Sequence, residues 1–302
     1  MDFVGKKQWF FLISAIVILI GIVSLATFGL KPGTDFTGGT SVTLQFNPPI
    51  EQSQLRQEMT DLGYSKASIQ NAGEGNFIIH LEEITRKEAE ELVGELGGRL
   101  GSQAAILDYY LASERVGLET ARNAGIAVVV AAVAMLFYIV WAFRRMPKPF
   151  RWGTCAIIAL IHDVLIIAGI FSIMGWAAGV EIDAMFITGL LAVVGYSVNN
   201  TVVIFDRIRE NVTKGISPDF ATTVNSSLTE TFGRCLNTAL TTLFVLLALF
   251  LFGGATIHYF VLVLLLGVIV GTYSSICISS QLLVVWEKGE WGKLLPFARK
   301  HA

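Results

Sequence analysis

Few side chains in this sequence can do chemistry, and most of them stand inside apolar stretches. Asp163 lies about ten residues into the stretch Thr154–Trp176, with His162 beside it. A charge at the bilayer centre costs about 2.5–3.5 kcal/mol or more on insertion scales. Asp163 therefore reads either as a proton-binding carboxylate on a polar pathway or as a hydrogen-bonded group joining helices. His162 reads as a weaker member of the same site or as a packing histidine. Asn199 and Asn200 interrupt the stretch Ala184–Phe205. Amides carry no proton at physiological pH; they organise water, bind a carboxylate or guanidinium, or join helices. Arg234 opens the stretch Leu236–Phe252 and is followed by Asn237, Thr238, Thr241 and Thr242. Positions 234, 238, 241 and 242 recur at i, i+4, i+7 and i+8 and share one helical face. That stripe faces a carboxylate or a water path, or else its arginine snorkels to the interface.

Two further blocks combine unusual residue types. Asp35-Phe36-Thr37-Gly38-Gly39-Thr40 joins the first apolar stretch to a strand-like segment. Its glycines permit positive φ and close backbone approach. A phosphate loop needs Gly-Lys-Ser/Thr opening a helix, so nucleotide binding is rejected in favour of a turn or a hinge. Tyr196-Ser197 precedes the two asparagines, and Asp206-Arg207-Ile208-Arg209-Glu210 follows them. Cys155, Cys235 and Cys277 lack metal-site or disulfide spacing and read as small buried hydrophobes. No metal or cofactor is expected. Nor is an enzyme: no Ser/His pair, metal-ligand cluster or paired intramembrane aspartate appears.

The elements that must position these residues are membrane helices. The chain has 302 residues, 53% hydrophobic and 15% charged, with a mean hydropathy of +0.62. Soluble domains carry about 25% charged residues. Six stretches reach the ~20 residues that a span needs: Trp9–Phe28, Ala124–Phe143, Thr154–Trp176, Ala184–Phe205, Leu236–Phe252 and Tyr259–Trp286. The first is too long for a signal peptide and lacks a cleavage site, so it reads as an uncleaved anchor. Arg144, Arg145, Lys148 and Arg151, then Arg207, Arg209, Lys214 and Arg234, then Lys288, Lys293, Arg299 and Lys300, fall on one side. The short loops Ala177–Asp183 and Gly253–His258 have neither lysine nor arginine. The positive-inside rule then makes both termini cytoplasmic and the segment Leu30–Arg122 external.

The expected domains are a first transmembrane helix (1–29), an external domain (30–122), a five-helix remainder (123–287) and a cytoplasmic tail (288–302). The external segment has 14 acidic and 8 basic side chains, an ordinary solvated surface. Thr40–Phe46 alternates as a strand and Glu51–Leu62 is an amphipathic helix. Ser68–Asn71 and Asn76–Leu81 form a hairpin about Gly73-Glu74-Gly75. Thr85–Leu100 opens with a capping box, and Ala104–Ala112 is a final strand. The order β-α-β-β-α-β is that of a ferredoxin-like α+β unit. The predicted fold class is thus an α-helical membrane protein of six transmembrane helices plus one external ferredoxin-like domain.

Three separated motifs carry a resemblance: Asp35–Thr40, Tyr196–Asn211, and Arg234 with the run Asn237–Leu243. Ile161-His162-Asp163-Val164 and the six-helix plan agree with them. Together they resemble the SecF branch of the SecD/SecF protein-export family, over essentially the whole chain. The resemblance implies half of an RND-superfamily transporter, whose other half is SecD. It implies a polar seam between the halves, with Arg234 in it, that carries protons while the external domain moves. The implied partners are SecD, the SecYEG channel, a YidC-type insertase and the translocating polypeptide. The implied location is the bacterial plasma membrane or an internal photosynthetic one. One departure stands out: the family has Asn-Asp-Thr where this chain has Asn199-Asn200-Thr201. Asparagine cannot titrate, so a proton here needs another carboxylate, either Asp163 or one on SecD. The competing readings are a half-transporter for a small molecule or lipid, and a membrane assembly scaffold.

Overall fold

The computed structural model describes residues 1–73, 75–254 and 257–291. Glu74 at the predicted hairpin tip and the basic residues Lys293, Arg299 and Lys300 lie outside the described residues.

Six helical spans are long and apolar enough to cross a membrane. They are α1 (Lys7–Thr27), α5 (Glu114–Ala142), α6 (Pro149–Ala178), α7 (Ala184–Lys214), α8 (Phe220–Phe252), and α9 (His258–Ser274) continued through a π-helical turn, Ser275–Ser279, into α10 (Ser280–Lys288). Helices α7 and α8 run further than their apolar stretches predict. Local charge pairs continue α7 past the membrane edge: Arg209 with Asp206 at 2.5 Å and Lys214 with Glu210 at 2.5 Å.

The spans are covered unevenly. Helices α6, α7 and α9 form the centre, and along the 29 residues of α5 only Gly117 and Ile139 are buried. Gly267 of α9 lies against Val193 of α7. A Cβ at 267 would stand 1.9 Å from Val193 Cγ2. This is the close packing expected of the Gly267-x-x-x-Gly271 pair. Gly267→Ala is expected to push α9 off α7 and lower thermal stability in detergent by about 1–3 kcal/mol. An unchanged melting temperature would count against that packing. At one end of the bundle Phe143 stacks on Trp152 (5.3 Å between centroids) and Phe205 meets Trp152 edge-on at 5.3 Å. The same end gathers the pairs Lys7–Glu290, Arg151–Glu287 and Lys288–Asp219.

The external domain sits at the opposite end. It comprises a single helical turn α2 (Thr34–Thr37), β1 (Gly39–Asn47), α3 (Gln52–Asp61), β2 (Ser68–Gly73), β3 (Asn76–Leu81), α4 (Arg86–Leu100) and β4 (Gln103–Ala112). The antiparallel sheet has the order β2-β3-β1-β4, which the split β-α-β connections require. Leu44, Phe46, Ile69, Phe77 and Ile79 point from the sheet onto Leu55, Met59 and Leu96 of the helices, and all are buried. The predicted capping box is present: Glu88 N donates to Thr85 Oγ1 at 3.4 Å, and Thr85 N donates to Glu88 Oε2 at 2.7 Å. The opposite sheet face is polar and turns toward the membrane helices.

Candidate functional site

Asp163 sits halfway along α6 with no exposed surface. Its Oδ1 lies 2.9 Å from His162 Nδ1. Its Oδ2 accepts two hydroxyls, Ser197 Oγ of α7 at 2.6 Å and Ser274 Oγ at the end of α9 at 2.8 Å. His162 Nε2 is 3.0 Å from Ser14 Oγ on α1, and Ser14 is 3.1 Å from the Tyr273 hydroxyl. Tyr273 donates to the Phe10 carbonyl at 3.0 Å. Four helices thus meet on one carboxylate–imidazole pair. His162 is a full member of the site, not a packing residue beside it.

The geometry allows one proton to come and go. With the Nδ1 hydrogen aimed at Asp163, His162 Nε2 accepts from Ser14. An added proton goes to Nε2, and the Ser14 hydroxyl rotates to accept it. Alternatively Asp163 takes the proton, and one of the two serines turns its hydrogen elsewhere. Each state keeps the polar atoms paired, which a low-dielectric site requires. A second layer backs the first: Thr201 Oγ1 and Ser275 Oγ are 2.9 Å apart, and Ser275 Oγ donates to the Ser197 carbonyl at 3.2 Å. The π turn falls in this layer and brings Ser274, Ser275, Ser279 and Ser280 all to the buried side. Such turns recur at functional positions in helices.

The two asparagines part company. Asn200 is buried and donates to Thr272 Oγ1 at 3.3 Å, whereas Asn199 is exposed. Tyr196 of the same helix packs among Ala239, Leu243 and their neighbours, with its buried hydroxyl unpartnered. Arg234, Thr238 and Thr241 are likewise exposed on α8 and do not reach Asp163. The threonine hydroxyls bond back to their own helix: Thr238 to the Arg234 carbonyl at 2.9 Å and Thr241 to the Asn237 carbonyl at 3.0 Å. The Arg234 guanidinium has no hydrogen-bond or ion-pair partner among the described residues.

Beyond the membrane edge the charged block joins α7 to α8. Arg207 pairs with Glu210 at 2.5 Å and with Glu230 of α8. Asn211 Nδ2 donates to Ser227 Oγ at 2.9 Å and to Glu230 Oε2 at 3.1 Å. Arg207 and Asn211 therefore tie α7 to α8 in a helical hairpin, while Asp206, Arg209 and Glu210 pair along α7 itself.

At the outer end Asp35 reaches from the glycine motif to α7. Its Oδ2 accepts the Ala184 backbone N–H at 2.8 Å, next to the Asp183 cap, whose Oδ1 accepts from Phe186 N at 2.7 Å. Burial, reinforced by Asp35, pushes the Asp183 carboxyl above the usual range. Gly38 and Gly39 have φ of 79° and 109°. A Cβ on Gly38 would stand 2.6 Å from the Glu114 nitrogen, and one on Gly39 2.5 Å from the Leu81 carbonyl oxygen. The motif is a tightly filled junction of α2, β1, β3 and α5, tied by Asp35 to the helix that carries Ser197 and Asn200.

Ser14, Thr272, Tyr273, Ser274 and Ser275 belong to the network although the sequence motifs do not single them out. The run Ser274-Ser275-Ile276-Cys277-Ile278-Ser279-Ser280-Gln281 inside an apolar stretch was a legible signal.

A family model described as protein export membrane protein SecD/SecF, C-terminal, matches residues 93–289, and the SecD/SecF GG motif model matches residues 23–50. The chain belongs to the SecD/SecF family. A protein translocase subunit SecF of Thermobaculum terrenum is 41% identical, with 96% of this chain and 95% of that one covered. The SecF of Anaerolinea thermophila is 39% identical, with 96% of each covered. The crystal structure of SecDF, a translocon-associated membrane protein from Thermus thermophilus, superposes with a TM-score of 0.84 at 33% identity. That match covers 95% of this chain but 39% of the SecDF chain. The family's glycine motif is thus the one that holds Gly38 and Gly39, and the larger match includes Asp163, the two asparagines and Arg234.

Proposed function

We propose that this chain is an auxiliary subunit of the Sec protein-export translocase that works with a SecD subunit to couple proton entry to outward movement of polypeptide. One observation carries the reading: a paired carboxylate–imidazole site at the centre of the membrane bundle, in a chain of this family whose exposed membrane surface bears an unpaired arginine. Arg234 and Asn199 need polar company away from lipid, and a second membrane half supplies it. The SecDF chain, of which this chain matches 39%, supports SecD as that half. The SecYEG channel and a YidC-type insertase are the further partners. The concentration of lysine and arginine at the end opposite the external domain supports cytoplasmic termini in a bacterial plasma membrane.

Asp163 is the proton-bearing group in this reading. Among the described residues it is the carboxylate buried inside the membrane bundle. Asn200 cannot titrate and faces α9. Arg234 is a positioning residue of the seam. Arg234→Met is expected to lower SecD-dependent export by at least about tenfold, since truncating one partner of a buried polar contact costs about 2–5 kcal/mol. The same variant is expected to weaken co-purification with SecD. Asn200→Asp is expected to leave export within about twofold, a difference below ~0.5 kcal/mol. Preprotein export into vesicles lacking their own SecF checks both. Full export by Arg234→Met, or restoration only by Asn200→Asp, would contradict the assignment.

A further inference from the structure

The polar layer around Asp163 continues along the π turn, toward the end of the bundle that carries Lys7, Arg151 and Lys288. Ser279 Oγ donates to the Ser275 carbonyl at 2.9 Å. Ser280 Oγ donates to the same carbonyl at 2.9 Å and to the Ile276 carbonyl at 2.8 Å. The Gln281 amide nitrogen donates to that Ile276 carbonyl at 3.3 Å. Three side chains thus hang on two neighbouring carbonyls. Ser275 joins them to the Asp163 layer, because its own hydroxyl lies 2.9 Å from Thr201 Oγ1 and 3.2 Å from the Ser197 carbonyl. Ser275, Ser279, Ser280 and Gln281 have no exposed surface.

Gln281 stands apart from the serines. Its Oε1 is buried, and no protein group among the described residues donates to it. An unpaired acceptor in a low-dielectric core is costly. A leucine of similar size would avoid that cost, so stability alone does not select glutamine here.

The hydrogens of this cluster are largely committed. Each serine hydroxyl turns its hydrogen onto a backbone carbonyl and keeps an oxygen lone pair to spare. With Gln281 Oε1 these lone pairs make a lining rich in acceptors and poor in donors. Its complement is a donor: a water molecule, or a water carrying an extra proton. A buried water needs two to four polar partners, and one helical turn supplies them here. The lining has little to offer an anion.

The position suits a proton's way out. Gln281 lies seven residues beyond Ser274, the donor to Asp163, or about 10 Å along the helix. Another six residues, about 9 Å, reach Glu287, which is partly buried and paired with Arg151 at 3.0 Å. The cluster therefore stands between the buried carboxylate and the charged end of the bundle. On the proposed topology that end is cytoplasmic.

We propose that Ser279, Ser280 and Gln281 hold ordered water and form the exit route of the proton from Asp163, with Gln281 as a positioning residue. The transfer balances without another reactant. Protonated Asp163 gives its proton to the Ser274 hydroxyl, which passes its own to the first water. Each water gives one proton as it receives one, and the last releases a proton at the Glu287 end. Asp163 is left as the carboxylate. Gln281 carries no charge at any point; its Oε1 orients the water that does. The proposal rests on Asp163 as the proton-bearing group.

The test uses Gln281→Leu in the full chain, with SecD, in vesicles lacking other SecF. The Ile276 carbonyl keeps Ser280 in that variant, and the unpaired acceptor is gone. Its melting temperature in detergent is expected to hold or rise, and SecD is expected to co-purify as before. Gradient-stimulated export is expected to fall at least about tenfold, the rate equivalent of one lost hydrogen bond to a charged group. Export without a gradient is expected to stay unchanged. Full stimulation in Gln281→Leu overturns the exit route. If Asp163→Asn loses the stimulation beside it, the role of Asp163 still stands; if Asp163→Asn keeps it too, both fall. A Gln281→Leu chain that melts lower and loses export equally with and without the gradient marks a structural residue and also overturns the route. Should the variant fail to assemble, a structure of the unmodified complex that resolves waters decides. A water within about 3.2 Å of Gln281 Oε1 is expected, and an Oε1 without one overturns the proposal.

Discussion

Gly39→Ala unseats the external domain. The position has φ 109° and its new Cβ would meet the Leu81 carbonyl oxygen at 2.5 Å. The backbone strain costs about 1–3 kcal/mol and the steric displacement about as much again, so the junction is expected to lose about 2–6 kcal/mol. Neither β1 nor β3 can retreat cheaply, because Thr40 and Leu81 are paired in the sheet. Gly63→Ala is the internal control: its φ is 92° but nothing stands within 4 Å. Limited proteolysis of the external domain is expected to speed strongly for Gly39→Ala and only slightly for Gly63→Ala. Equal, small effects would show that close approach at the glycine motif is unimportant. Because Asp35 links this motif to the start of α7, the Gly39 variant is also expected to reduce export.

Asp163→Ala is expected to damage the membrane core. It leaves the donors of His162 and Ser197 without their acceptor, while Ser274 retains the Gly271 carbonyl at 3.2 Å, and each orphaned buried group costs about 1–3 kcal/mol. A total loss of about 3–5 kcal/mol is expected, of the size seen when one partner of a buried pair is removed. Asp163→Asn behaves differently. Its amide oxygen can still accept from His162, and the two serine hydroxyls can rotate to accept from its nitrogen. That variant is expected to unfold within about 1–2 kcal/mol of the wild type. Thermal unfolding of the two variants in one detergent checks this, and equal melting of Asp163→Ala and wild type would deny the network its structural weight. The pair of substitutions separates holding the bundle together from holding a proton.

Much of the architecture was legible because membrane physics writes it in large letters. Stretches of about 20 apolar residues give the six spans. Strand alternation and the Thr85–Glu88 cap give the external elements. The charged extension of α7 was not legible from hydropathy, since it depends on pairs such as Lys214–Glu210 that act only once helix exists. The site was half legible. Asp163 announces itself by the cost of its burial. Ser14 and Tyr273 do not, because a lone hydroxyl in an apolar helix can bond its own backbone at little cost. Their convergence on His162 is a property of helix packing. Asn199 and Asn200 look alike in sequence, yet successive residues on a helix lie about 100° apart, and the packing of α9 turns one inward and leaves the other outside. The stripe from Arg234 to Thr241 was legible as a face. That the face is bare needs the packed bundle to see.

In the proposed function, Asp163 holds the proton whose movement drives export. The decisive measurement is preprotein export into inverted vesicles containing matched SecD and lacking other SecF, with and without an imposed proton gradient. Wild type is expected to show gradient-stimulated export, and Asp163→Asn is expected to fold, assemble with SecD and lose that stimulation. A fully gradient-dependent Asp163→Asn chain would contradict the account and place the proton on the partner subunit.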